Sequence, residues 1–239
     1  MVIMKVGLVS YECKNNDVIF NLFQIQKAMQ ECDKDTDILC FGEAFLQGFD
    51  VLSNVYEEDV KIAIAQDSAI MHRIKQWTLD YHVGVMFGYI EKNNESLYSS
   101  YIFLDEGKVI HHYRRISKGW KEYDKTDKHY KEGKNTSSFH YKGYNCNIAL
   151  CGDLWVYPDR FTCEDVLFWP IYVNFDEKLW QEEKAEYAKQ SLRSCKKAVL
   201  INSISKDPDA IGGAFYFEEG EIKKELSFNK EEILYVKMT

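Results

Sequence analysis

The order of strand-like and helix-like segments predicts a single mixed α/β domain with a large sheet content. Strands alternate with helices near both ends of the sequence, and β-hairpins lie between them. The chain has 239 residues, of which 46% are hydrophobic, and this is enough for a full core. Aromatic residues make up 15%, a fraction typical of a protein with many strand positions. We therefore treat residues 1–239 as one domain.

The first third of the chain is predicted to alternate between strands and helices. Residues 2–10 form a β-branched apolar run that is typical of a buried strand. Apolar residues at helical spacing predict a helix from 15 or 16 to about 32. A short apolar strand follows at 36–41, and residues 57–81 are predicted as one long amphipathic helix.

The middle of the chain predicts a strand, a hairpin and a long loop. Residues 82–90 predict the strand, and a turn at 105–108 joins the two hairpin strands, 98–104 and 109–113. Residues 114–138 are polar and lack either periodicity, which indicates a functional loop. The remaining prediction comprises strands at 146–150, 166–175, 197–204 and 233–238, a helix at 177–193 and a hairpin turn at 218–221.

Composition excludes several classes of protein. Thirty Lys and Arg residues against 38 Asp and Glu residues give a net charge of −8, so we expect no nucleic-acid partner. No apolar stretch reaches about 18 residues, so we expect no membrane span or membrane partner. The seven Cys residues are scattered without a CxxC pair, which favours free thiols in a reducing, cytoplasmic compartment.

Common cofactor and nucleophile motifs are absent. The sequence has no G-x-S-x-G elbow. Gly133 and Lys134 do not complete a phosphate loop, because Lys128 stands where the first glycine is needed. The histidines have no partners at the spacing of a metal site. We therefore expect neither a metal nor a cofactor.

Three residues are candidates for chemistry because of their positions. Cys151 lies where an apolar strand meets a glycine turn, so it could be a nucleophile or an inert buried thiol. Glu43 follows a buried strand and could be a general base or a solvent-facing acid. Lys118 follows a run of basic residues after the hairpin and could be a catalytic cation or a solvated charge.

The combination of these residues is more specific than any one of them. A Glu after a strand, a Lys about 75 residues later and a Cys after a further strand form an order that resembles the carbon–nitrogen hydrolase (nitrilase) superfamily. The sequence is Gly-Glu-Ala-Phe at 42–45, Tyr-Arg-Arg-Ile-Ser-Lys at 113–118 and Leu-Cys-Gly-Asp-Leu-Trp at 150–155. Trp-Pro at 169–170, Asn-Ser at 202–203 and Gly-Gly-Ala at 212–214 resemble later family motifs.

This resemblance implies a four-layer α-β-β-α sandwich with two central mixed sheets, assembled as a homodimer or a higher homo-oligomer. It also implies hydrolysis of a non-peptide C–N bond in a small amide or carbamoyl compound, with water as the second reactant. Glu43 would be the base and Cys151 would form a thioester. Lys118 and the backbone N–H of Gly152 would stabilise the oxyanion.

Many family members have a second glutamate that orients the lysine and the water. Glu122 is the favoured candidate here, since it lies four residues after Lys118, but it could equally be a solvated charge. The remaining candidates are Asp124, Asp127 and Glu132.

Several residues near the three motifs are candidates for shaping the pocket. Many relatives have an aromatic residue after the Cys, whereas this chain has Gly152. Trp120, Trp155 and Tyr157 could line the substrate pocket or pack in the core. We expect Asp153 to have a structural role and to bond nearby backbone.

Two other functions stay open at this point. The chain could be a catalytically degenerate member that serves as a scaffold or a binding protein, or a soluble acyltransferase that uses the same Cys. Cys151 could also be a redox-sensing thiol, and Cys146 is the nearest candidate for a resolving partner by spacing.

Overall fold

Two six-stranded mixed sheets form the centre of the molecule. The computed structural model describes residues 3–239, so the first position of the strand predicted at 2–10 lies outside the described residues. One sheet has the order β12-β1-β2-β3-β4-β5 and the other has the order β11-β10-β9-β8-β7-β6. Side chains from both sheets contribute to one buried cluster, so the sheets pack face to face.

The strands of the first sheet come mostly from the first half of the chain, and those of the second sheet from the second half. The first sheet contains β1 Met4–Ser10, β2 Ile38–Cys40, β3 Gly84–Asn93, β4 Ser96–Asp105, β5 Lys108–Arg114 and β12 Glu232–Met238. The second sheet contains β6 Phe139–Tyr141, β7 Tyr144–Ile148, β8 Val166–Ile171, β9 Lys197–Lys206, β10 Asp209–Glu218 and β11 Glu221–Glu225.

Helices cover the outer faces of the sheets. They are α1 Val18–Glu31, α2 Tyr56–Ile62, α3 Ala69–Tyr81, α4 Asp153–Val156 and α5 Glu177–Leu192, with a 3₁₀ helix at Pro158–Arg160. Strand β2 shows how the layers form. Ile38 and Cys40 belong to the cluster between the sheets, whereas Leu39 and Phe41 belong to the cluster under α1 and α3. Successive side chains point to opposite faces, so this strand is buried on both sides. The layers confirm the predicted α-β-β-α sandwich.

The prediction of one long helix at 57–81 is wrong. The structure has two helices, α2 and α3, and the segment between them pairs with the first sheet. The Ile64 N–H donates to the carbonyl of Ile90 at 2.9 Å, and its own carbonyl accepts from Lys92 at 3.1 Å. Ser68 then caps α3, since its side chain accepts from the Met71 N–H. These sheet bonds explain why the helix is interrupted although the apolar spacing continues.

The other predicted elements are present, with ends that shift by a few residues. The hairpin predicted at 98–104 and 109–113 is confirmed as β4 and β5, and the final strand is confirmed as β12. Among residues 3–239, no helix is both long enough and apolar enough to cross a membrane.

Candidate active site

Glu43 lies three residues after the end of β2, in a turn between the two sheets. Its N–H donates to the carbonyl of Ile171 in β8 at 3.3 Å, which ties this turn to the second sheet. Gly42 allows the close approach, because a Cβ there would lie 2.4 Å from the hydroxyl of Ser203. The Glu43 side chain is fully buried as a result.

The two carboxylate oxygens of Glu43 have different surroundings. Oε1 accepts from Arg115 Nη1 at 2.8 Å and from the Ser99 hydroxyl at 3.1 Å. Oε2 is buried and has no hydrogen-bond partner among residues 3–239. A buried carboxylate oxygen is costly to leave without a donor, so Oε2 is available to accept a proton.

Cys151 occupies a sharp turn between β7 and α4. Its φ is +43°, a conformation that non-glycine residues rarely adopt. Two hydrogen bonds to β8 hold the turn. The Cys151 N–H donates to the Pro170 carbonyl at 2.9 Å, and the Trp169 indole N–H donates to the Cys151 carbonyl at 2.9 Å. Backbone strain of this kind is stored at functional sites.

The thiol of Cys151 stays protonated at neutral pH. Burial raises its pKa, the negative charge of Glu43 raises it further, and Arg115 opposes these effects, so that the pKa is about 12. The thiol donates to the carbonyl of Tyr172 at 3.8 Å, and this bond opposes the rise in pKa. Since the thiolate is the nucleophilic form, this cysteine needs a base during attack.

This raised pKa predicts how alkylation of Cys151 depends on pH. Because the thiolate fraction rises as pH approaches the pKa of about 12, the rate with iodoacetamide should increase about tenfold per pH unit from pH 7 to 10. Mass spectrometry of the labelled peptide measures this rate. The unfolded chain is the control, where the rate should level off above a pKa of about 8.5. A plateau below pH 8 in the folded protein would contradict the assignment.

Arg115 is the cation that contacts Glu43. Besides its bond to the carboxylate, its Nε donates to the Ser117 hydroxyl at 2.9 Å and its Nη2 donates to the Lys118 carbonyl at 2.9 Å. Burial lowers the pKa of Arg115, but the neighbouring Glu43, Cys151 and Asp153 reverse this and raise the pKa above its ordinary value. One N–H on each terminal nitrogen is left free by these bonds.

Comparisons with known proteins identify the family of this chain. A family model described as carbon-nitrogen hydrolase matches residues 5–161. The chain belongs to the carbon–nitrogen hydrolase family. An (R)-stereoselective amidase from Pseudomonas sp. is 22% identical over 151 residues, which are 63% of this chain and 52% of the amidase. The chain therefore matches only about half the length of that curated relative.

Solved structures share the fold of this carbon–nitrogen hydrolase family member. A CN-hydrolase superfamily protein from Xanthomonas campestris with an arsenic adduct in its active site superposes with a TM-score of 0.82, at 14% identity, over 100% of this chain and 91% of that one. A mutant amidase from Nesterenkonia sp., with the acetamide moiety of fluoroacetamide added at its active-site cysteine, gives 0.78 at 16% identity, over 98% and 90%.

Asp153 connects the segment that carries Arg115 to the turn that carries Cys151. Its Oδ1 accepts from the backbone N–H groups of Ile116 at 3.2 Å and Ser117 at 2.7 Å. Its Oδ2 accepts from the Leu150 N–H at 2.9 Å and the Tyr113 hydroxyl at 2.6 Å. The expected structural role of Asp153 matches these contacts.

The structure does not bring the side chain of Lys118 to the site. Lys118 is exposed, and its Nζ lies 4.7 Å from the centre of the Tyr123 ring. Only its backbone carbonyl takes part, as the acceptor for Arg115. The chain turns outward at Gly119, which has a φ of +105°. The basic side chain in contact with Glu43 is that of Arg115, three residues earlier in the same motif.

Glu122 also lies away from Glu43 and Cys151. Its side chain is exposed and pairs with the exposed Lys125 at 2.6 Å. Asp124 and Asp127 are exposed as well. Glu132 is partly buried and bonds Lys121 and the Tyr123 hydroxyl. None of these four acids has a hydrogen bond to Arg115 among residues 3–239, so the second-carboxylate role is not assigned to any of them.

The predicted pocket residues separate into different environments. Gly152 lies against the Arg115 guanidinium. Trp120 is buried in a small cluster with Ala44 and Tyr130, which is the core-packing alternative. Trp155 and Tyr157 are 40% and 38% exposed.

Sequence reasoning missed two residues that contact Glu43. Arg115 is part of the motif at 113–118. Alternate residues of a strand share a face, so its position two residues after the apolar Tyr113 was the available signal. Ser99 donates to Glu43 from β4, and no sequence pattern indicated this, because its role depends on the pairing of β4 with β3.

Proposed function

We propose that this protein hydrolyses a non-peptide C–N bond in a small amide or carbamoyl compound through a thioester at Cys151. One observation carries this proposal: a fully buried Glu43, whose Oε2 has no partner among residues 3–239, lies close enough to Cys151 on its strained turn for the carboxylate charge to raise the pKa of the thiol. The names of the similar amidases support the same reaction class.

In the first half of the reaction, Glu43 accepts the thiol proton while Cys151 attacks the carbonyl carbon of the amide. The developing oxyanion lies beside the Arg115 guanidinium and the backbone N–H of Gly152, which has no other hydrogen bond within residues 3–239. The protonated Glu43 then donates to the leaving amine. The C–N bond breaks and a thioester remains on Cys151.

In the second half, water replaces the amine. Glu43 accepts a proton from the water, and the resulting hydroxide attacks the thioester carbonyl. The same donors stabilise the second oxyanion. Collapse releases the carboxylic acid, and Glu43 returns the proton to the departing thiolate. Each half therefore uses Glu43 first as a base and then as an acid.

The test is ammonia release from a panel of small amides, carbamoyl amines, glutamine-like amides and nitriles. We expect release with at least one amide or carbamoyl compound and none with Cys151→Ala. Cys32→Ala, at the end of α1, is the matched control and should keep full activity. Labelling with fluoroacetamide should add a mass at Cys151 in the wild type and in Cys32→Ala, and no such mass in Cys151→Ala.

Other outcomes identify the alternatives. Release of the amine only when hydroxylamine is supplied as acceptor would overturn hydrolysis in favour of acyl transfer. No ammonia release from any compound of the panel, together with no adduct at Cys151, would overturn catalysis in favour of a scaffold role.

A further inference from the structure

The backbone conformation at residue 152 does not require a glycine. Its φ of −63° and ψ of −11° lie in the right-handed helical region that every L-residue adopts. Its glycine identity must therefore come from its surroundings.

The surroundings of Gly152 are filled by the Arg115 guanidinium. A Cβ at position 152 would lie 2.8 Å from Arg115 Nη2 and 3.2 Å from the Ser117 hydroxyl, and the first distance is shorter than real Cβ contacts allow. The guanidinium has little freedom to withdraw, because it is bonded to Glu43, Ser117 and the Lys118 carbonyl. A methyl group at 152 would therefore displace the cation.

We propose that Gly152 is a positioning residue matched to Arg115, because the missing side chain lets the guanidinium lie against the backbone that follows the Cys151 nucleophile. The free guanidinium N–H groups and the Gly152 N–H then converge on one oxyanion. The lysine ammonium has a single nitrogen in place of the planar fork, so a lysine at 115 tolerates a Cβ at 152. This inference rests on the proposed function for its catalytic part.

Four proteins test the pairing: the wild type, G152A, R115K and R115K/G152A. With arginine present, G152A should lower kcat by about a hundredfold and leave KM nearly unchanged, as for loss of an oxyanion donor. With lysine present, adding G152A should change kcat by less than about threefold. Equal losses in both backgrounds, or no loss with arginine, would overturn the pairing.

A pH profile separates positioning from a general structural role. The arginine enzymes should show no loss of kcat on the alkaline side from the cation, whereas the lysine enzymes should lose activity as the ammonium deprotonates near its ordinary pKa of about 10. An alkaline loss that is the same in all four proteins would contradict a catalytic role for residue 115.

Urea unfolding of the same four proteins measures the contact between residues 115 and 152 without depending on catalysis. G152A should lower the unfolding midpoint more with Arg115 than with Lys at that position. An inactive wild type with this coupling would refute the proposed function and keep the steric pairing. An active wild type without the coupling would refute the pairing and keep the proposed function.

Discussion

Arg115→Ala is expected to lower the free energy of unfolding by about 3–5 kcal/mol, the usual cost of leaving a buried charge without its partner. The Arg115 side chain is 3% exposed and the Glu43 side chain is fully buried, so water cannot replace the missing guanidinium at the carboxylate. Removing the cation leaves the Glu43 carboxylate with the Ser99 hydroxyl as its remaining hydrogen-bond donor among residues 3–239. Urea unfolding at pH 7 measures the difference.

Two controls show whether this cost comes from the buried pair. The double variant Glu43→Ala/Arg115→Ala removes both charges and should recover part of the lost stability. Lys118→Ala should change stability by less than about 0.5 kcal/mol, because it removes an exposed side chain and keeps the carbonyl that Arg115 bonds. A larger loss for Lys118→Ala than for Arg115→Ala would contradict Arg115 as the buried partner of Glu43.

The sandwich was predictable because its strands carry strong local signals. Residues 38–41 are apolar on both faces, which matches a strand that is buried between the other sheet and a helix layer. The break between α2 and α3 was not predictable, because the apolar spacing continues through it. It depends on backbone bonds from Ile64 to β3, far along the chain.

The candidate site was predictable at its two strand ends and not at the loop between them. Glu43 and Cys151 each come three residues after a buried strand. Their positions at the C-terminal ends of β2 and β7 could therefore be predicted once the strands were predicted. Which basic side chain after β5 points into the site depends on contacts with residues that are distant along the chain. Asp153 holds the N–H groups at 116 and 117 and so fixes Arg115, and the turn at Gly119 carries Lys118 outward.

Asp153→Ala is expected to lower the free energy of unfolding by more than about 3 kcal/mol, since each unpaired buried donor costs about 1–3 kcal/mol. Four donors lose their acceptor at once, from Tyr113, Ile116, Ser117 and Leu150. Burial and the charge of Asp153 raise the pKa of Tyr113, so its phenol stays a donor to this carboxylate. Thermal and urea unfolding measure the loss.

Two further substitutions show whether the loss of stability comes from the hydrogen bonds of Asp153. Asp153→Asn should cost less than Asp153→Ala, because the amide oxygen can keep the N–H groups of Ile116 and Ser117 while its NH₂ faces Tyr113, whose hydroxyl can accept. The N–H of Leu150 still loses its acceptor. Asp159→Ala, at an exposed position of the 3₁₀ helix, should stay within about 0.5 kcal/mol of the wild type.

The same variants test whether Asp153 aligns the two halves of the site. Asp153 is the residue through which the Arg115 segment and the Cys151 turn share one carboxylate, so its loss should shift both. Asp153→Asn should therefore lower kcat while most of the protein remains folded, since a misplacement of about 1 Å costs about a hundredfold. Full kcat in a destabilised Asp153→Asn protein would mean that the turn and the segment hold their positions without it.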